Sequence, residues 1–246
     1  MNTEFGSKKI FEFFFDKPIH LPILGDQPSF YITETVINTW IIMILLVVVS
    51  IILTRNMKLV PEGKQNVAEI LVGLLTNLTG SSMGKDKLGF APYMGTLMIF
   101  LVCSNLWGLT GMRPPTADLN TTFALSILTF FMIHGFAIKR KGVFGWIKGT
   151  FFEPVAVMAP LNLISEIATP VSLAFRLFGN IVGGMIIMAL IYNALGSILG
   201  SVLPIPIFML AIPVPLHGYF DIFAGVLQAF IFTMLTMVFV SMAMDD

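Results

Sequence analysis

The sequence predicts an all-α polytopic membrane protein with about five membrane helices and one amphipathic surface helix. Three observations carry the prediction. Of the 246 residues, 56% are hydrophobic and only 11% are charged, against about 25% charged in a soluble domain. The apolar residues gather in runs near the roughly 20 residues that a helix needs to cross a bilayer. The lysines and arginines collect in alternate loops, as membrane topology requires.

The elements follow in chain order. Residues 1–32 form an outer N-terminal segment. It carries acids among its aromatics and has no small-residue cleavage site, so it does not read as a signal peptide. The first span, 33–54, centres on WIIMILLVVVSIIL and stops at Arg55 and Lys58. Over 62–80, Val67, Ile70, Leu71, Leu74, Leu75 and Leu78 recur at helical spacing. Gln65, Asn66, Glu69, Thr76 and Asn77 make that segment too polar to span, so it reads as a surface helix. Spans two and three cover 90–111 and 119–138, the latter closed by Lys139-Arg140-Lys141. The stretch 142–160, rich in aromatics, glycine and proline, reads as an interfacial or re-entrant connection. Span four covers 160–196. Span five covers 202–243, its start broken by the prolines of LPIPIFMLAIPVP. No repeat, low-complexity tract or flexible linker interrupts the chain, so residues 1–246 read as a single membrane domain.

Charge sets the orientation. With the N-terminus outside, the cytoplasmic loops hold Arg55, Lys58, Lys64, Lys85, Lys87, Lys139, Arg140, Lys141 and Lys148. The outer side holds Lys8, Lys9, Lys17 and Arg113, and the positive-inside rule favours this arrangement. The C-terminus is then cytoplasmic. Formal net charge is zero, with no basic patch to neutralise phosphates, which argues against nucleic acid as a partner. Cys103 is the only cysteine and reads as a packed helix residue. No cofactor motif is present.

The informative residues are the polar ones inside the apolar runs. Arg176 lies in VSLAFRLFGN, well inside span four. A central arginine costs roughly 2.5–3.5 kcal/mol on insertion scales and marks a functional site by default. Its guanidinium does not deprotonate in proteins, so it serves as a fixed charge rather than a relay link. Asn180, four residues on, shares its face, and Glu166 lies ten residues before it, toward the cytoplasmic end. In span five, His217, Asp221 and Gln228 are spaced four and seven apart, as on one side of a helix. A carboxylate above an amide, opposite a buried arginine, reads as an ion path from outside. The competing structural readings pair Arg176 statically with Glu166 or Asp221. They leave Asn180 and Gln228 as interhelical hydrogen-bonders and His217 as a wetted interfacial residue. His134, near the end of span three, reads as structural.

VSLAFRLFGNIVGG, followed by LQAFIFTMLTMVFVSMA, resembles subunit a of the rotary F-type ATP synthases, and the likeness runs along the whole chain in order. The resemblance implies that the last two spans are long, tilted and face a ring of c subunits. It implies two offset half-channels that carry H+ or Na+ to and from carboxylates on that ring. Arg176 matches the family's essential arginine, which prevents a short circuit between the half-channels. Asn180 and Gln228 match the polar residues beside it. The c-ring and the peripheral-stalk b subunits are the implied partners, and a bacterial inner membrane the implied location. Two positions depart from the usual bacterial pattern: Met185 stands for a glutamate and Asp221 for a histidine. Asp221 is then the acid of the outer half-channel, and H+ and Na+ both stay open.

An independent ion-coupled transporter or channel is the alternative. It would favour inverted repeats with matching broken helices, which the sequence lacks. An intramembrane protease would need a serine with a base in reach, and no histidine stands at helical spacing from Ser165 or Ser172. No GxxxxGK[ST] loop is present. The chain is therefore not expected to be an enzyme on its own, and nucleotide chemistry falls to partner subunits.

Overall fold

The computed structural model describes residues 9–13, 20–21, 25–26, 30–152, 159–199 and 212–245. Two short antiparallel ladders come first. Strand β1 (Lys9–Phe13) pairs with β4 (Phe30–Thr33), and β2 (His20–Leu21) pairs with β3 (Gly25–Asp26). Six helices follow: α1 (Glu34–Thr54), α2 (Lys64–Met83), α3 (Ala91–Leu106), α4 (Leu119–Ile147), α5 (Ala159–Leu199) and α6 (Pro213–Asp245). All but α2 are long and apolar enough, with their flanking turns, to cross a membrane. The fold is all-α and polytopic. Expected residues 202–211 of the last span lie outside the described residues.

Helix α4 runs past the expected end of its span at residue 138. Lys139, Arg140 and Lys141 continue it, since their long stems lie along a helix while their charges reach water. It bends at Gly142, where φ is +71°, a conformation that glycine adopts without the penalty a Cβ brings. The chain then stays helical to Ile147 and makes a π turn over Lys148–Phe152. The first part of the expected 142–160 connection is thus helical.

The five long apolar helices form a bundle with two ends. Glu34, Arg113 and His217 lie at one, called the Glu34 end. Arg55, Lys141 and Asp245 lie at the other, the basic end. Leu97 and Leu101 of α3, Leu173 and Leu177 of α5, and Ala229 and Phe232 of α6 form the central core. A second cluster, Met83, Met94, Met237 and Val240, ties α2 to α3 and α6. Between these apolar layers the helices meet through small polar groups, as is usual where lipid offers no hydrophobic drive. Ser126 Oγ donates to the carbonyl of Pro170 in α5, and the Thr129 and Thr236 hydroxyls lie 3.4 Å apart between α4 and α6. Helix α1 is peripheral: 11% of its apolar window is buried, against 39% for α6. It is fastened at the Glu34 end, where Thr35 Oγ1 donates to Asp118 Oδ2 at 2.8 Å and Asn38 Nδ2 to Arg113 O at 2.9 Å. The same Asp118 carboxylate caps α4 by accepting from Asn120 N.

At the basic end, Lys87 Nζ reaches Asp245 Oδ1 at 2.5 Å and Ser241 Oγ at 3.0 Å, closing the last turn of α6. Arg140 Nη1 donates to Met244 O at 2.5 Å. Helix α2 turns Gln65, Ala68, Thr79 and Met83 inward and leaves Val67, Ile70 and Leu74 exposed. Asn66, Glu69 and Asn77 are exposed as well, so the outer side carries an apolar stripe beside polar groups, as suits a helix lying in the bilayer interface.

Candidate functional site

Helix α5 buries Leu173, Ala174, Leu177, Ile181 and Met188 on one face. Arg176 points to the opposite, exposed face, amid Ser172 and Gly179. It lines an open cavity of about 250 Å³ with Ser165, Thr169, Ser172, Leu235 and Phe239. Among the described residues, its guanidinium forms no hydrogen bond or ion pair. The static pairings with Glu166 or Asp221 are not made, because both carboxylates have other neighbours.

Helices α5 and α6 run antiparallel, and Asn180 Nδ2 donates to Ala224 O at 3.2 Å. Counting along both helices from that contact brings Gln228 level with Arg176. Gln228 is buried, and its Nε2 has no hydrogen-bond partner among the described residues.

Asp221 sits in a π-helical stretch of α6, Gly218–Ala224. Such wide turns recur at functional sites. A π turn holds more residues than an α turn, so the α-helical spacing argument that put Asp221 on the face of Gln228 does not apply through this stretch; His217 and Asp221 line one cavity, and Gln228 is not among its lining residues. Two asparagine amides grip the end of this stretch. Asn180 takes Ala224 O from α5. Asn105 Nδ2 of α3 takes Gly225 O at 2.7 Å, while its Oδ1 accepts from Thr116 Oγ1 at 2.8 Å. The approach is so close that a Cβ at Gly225 would lie 3.2 Å from Asn105 Cβ.

Asp221 Oδ2 lies 2.5 Å from His217 Nδ1, and His217 Nε2 lies 3.0 Å from Tyr192 Oη on α5. His217 and Asp221 line a cavity of about 330 Å³ at the Glu34 end, together with Glu34, Arg113 and Met185. On α5 it extends to Ile181, five positions beyond Arg176 or about 7.5 Å along the axis.

A separate cavity of about 270 Å³ opens at the basic end. It is lined by Glu166, His134, Lys141, Trp146 and Thr169. Glu166 Oε2 lies 3.4 Å from His134 Nε2, and Trp146 Nε1 donates to His134 Nδ1 at 3.2 Å. Thr169 and Phe239 line both this cavity and the one beside Arg176, so the two adjoin.

Five residues here were missed in the sequence: Glu34, Asn105, Trp146 and Tyr192, and His134, read only as structural. Glu34 stands at a span boundary, where acids are ordinary; Trp146 meets His134 across the bend of α4 at Gly142, and Asn105, Tyr192 and His134 gain meaning from partners on other helices. The one available signal was a histidine inside a membrane segment, which is rare enough to point to function.

Ionisable groups thus reach α5 from opposite ends of a helical bundle, with a fixed cation between, and this arrangement defines an ion-translocating membrane protein. The family described as ATP synthase A chain matches residues 36–241. The chain is 37% identical over 247 residues to the ATP synthase subunit a, sodium ion specific, of Propionigenium modestum, covering 94% of this chain and 81% of that one. It is 37% identical over 226 residues to ATP synthase subunit a of Moorella thermoacetica, covering 92% and 95%. It is 38% identical over 219 residues to ATP synthase subunit a 2 of a Bradyrhizobium species, covering 87% and 90%. The chain belongs to the ATP synthase subunit a family. It is an ion-translocating, non-catalytic subunit of the membrane sector of an F-type ATP synthase.

Proposed function

We propose that the two end cavities are offset half-channels, and that Arg176 keeps them from joining. The observation that carries this reading is the order along α5. The cavity from the Glu34 end reaches Ile181, the cavity from the basic end reaches Thr169, and Arg176 lies between. An ion enters past His217 and Asp221, transfers to a carboxylate on the c-ring, and leaves past Glu166 after the ring has turned. The exposed, unpaired Arg176 faces that carboxylate. A positive charge a few ångströms away favours the ionised carboxylate and so promotes release of the ion. The same charge repels any cation passing directly between the half-channels. Asn180 and Gln228 flank the crossing. Arginine suits the barrier better than lysine, which loses its charge readily when buried.

The partners in this reading are the c-ring against the open faces of α5 and α6, and peripheral-stalk b subunits at the basic end. The chain is a single membrane domain of a bacterial inner membrane, N-terminus outside. The excess of Lys and Arg at the basic end supports that orientation. The translocated ion is H+ or Na+, and the sodium-specific name of the Propionigenium relative makes Na+ a concrete alternative. Arg176→Ala should abolish ion-driven ATP synthesis in membrane vesicles, and wild-type synthesis by that variant would refute the assignment. ATP hydrolysis by the coupled complex, measured with and without Na+ across pH, separates the ions. Activation by Na+ that fades in acid marks Na+ transport, and indifference to Na+ marks protons.

A further inference from the structure

We infer that Trp146 and His134 are positioning residues for Glu166: the indole holds the imidazole in one tautomer, aims an N–H at the carboxylate, and bars His134 from taking a second proton. The inference rests on the reading of the basic-end cavity as a half-channel.

The chemistry follows from one bond. An indole N–H only donates, and Trp146 Nε1 donates to His134 Nδ1. Nδ1 is therefore the acceptor nitrogen, and the proton of the neutral ring sits on Nε2. That Nε2 is buried, forms no completed hydrogen bond, and lies 3.4 Å from Glu166 Oε2. A second proton could go only to Nδ1, where it would confront the indole's own N–H. Trp146 would have to leave first.

Packing resists that movement. The His134 ring is wedged between Phe130, at 4.0 Å between centroids, and Trp146, at 5.4 Å. The bend at Gly142 is what returns the chain so that Trp146 meets His134. Among the described residues, the other charged group lining the cavity is Lys141, and α6 contributes Phe239, Met242 and Ala243. An imidazolium at His134 would add a cation beside the path and pair with Glu166. Trp146 prevents this, so Glu166 faces the leaving cation without a competitor.

The test uses the whole complex in inverted membrane vesicles, with ATP synthesis driven by an imposed electrical potential at equal pH on both sides. Between about pH 8 and about pH 5.5, an unhindered imidazole passes from a few per cent to about nine-tenths protonated. Trp146→Phe should therefore lose about tenfold more synthesis over that range than the wild type does. Adding His134→Gln, which keeps an N–H but does not titrate, should remove that extra loss. If Trp146→Phe assembles to the wild-type level and tracks the wild-type pH profile, the inference is overturned. Should that variant not assemble, His134→Gln and His134→Phe in the native background decide. Gln should exceed Phe by about tenfold, and equal rates overturn the inference. Glu166→Gln separates the two levels of argument, because a wild-type rate there would overturn the half-channel reading itself.

Discussion

Asn105→Ala probes how the Asp221 stretch is held. Asn105 is 1% exposed and makes two buried hydrogen bonds, to Gly225 O and from Thr116 Oγ1. Alanine removes both and leaves a backbone carbonyl and a hydroxyl without that partner at the wall of the Glu34-end cavity. A buried group left unpaired costs about 1–3 kcal/mol in soluble proteins. Interhelical bonds in membranes average about 0.6 kcal/mol and reach about 1.7, because the separated helices find other partners. Two such bonds at one side chain, plus the small void left behind, set the expected loss at about 2 kcal/mol. The measurement is reversible unfolding of the purified subunit in mixed micelles, with Thr116→Val as the second arm of a double-mutant cycle. The cycle should return a coupling of at least about 0.5 kcal/mol. In the assembled complex, ion-driven synthesis should fall together with stability, since the π stretch that aims Asp221 loses one of its two grips. A stability change below about 0.5 kcal/mol, with normal synthesis, would refute the view that this amide holds the stretch.

Three further outcomes follow from the same geometry. Asp221→Asn should cut ion-driven synthesis at least about tenfold, while Tyr192→Phe, which removes only the hydroxyl on His217, should cut it by less than about threefold; rates in vesicles compare them. Gly225→Val should prevent assembly, because its side chain would have to occupy space held by Asn105, and immunoblots of the membrane-bound complex would reveal it. Lys87→Met should expose the end of α6 to carboxypeptidase applied from the basic end, whereas the wild-type Lys87–Asp245 pair should protect it.

Much of the architecture was legible because lipid imposes a simple rule. A helix such as α1, with a mean hydropathy of 2.8 over its best window, has no other stable place to go. The ladders before Glu34 were not legible, since aromatics mixed with acids carry no clear period of two. Nor was the π stretch: GYFDIFA reads as ordinary helix, and its extra width appears only where Asn105 and Asn180 take the carbonyls at its end. Arg176, Asp221 and Glu166 were visible as charges in apolar runs. Their neighbours were not, because which group meets Glu166 depends on how α4 bends at Gly142 and how α5 lies against it. Helical spacing reports one face of one helix, and it fails when the pitch changes, as it does between Asp221 and Gln228.

Arg176 stands on the open side of α5 without a counter-ion among the described residues. A lone copy of the chain in a bilayer thus holds a permanent cation toward hydrocarbon, at roughly 2.5–3.5 kcal/mol on insertion scales. A neighbour that brings a carboxylate to that side relieves the strain. In population terms this favours the assembled over the orphan form by about a hundredfold.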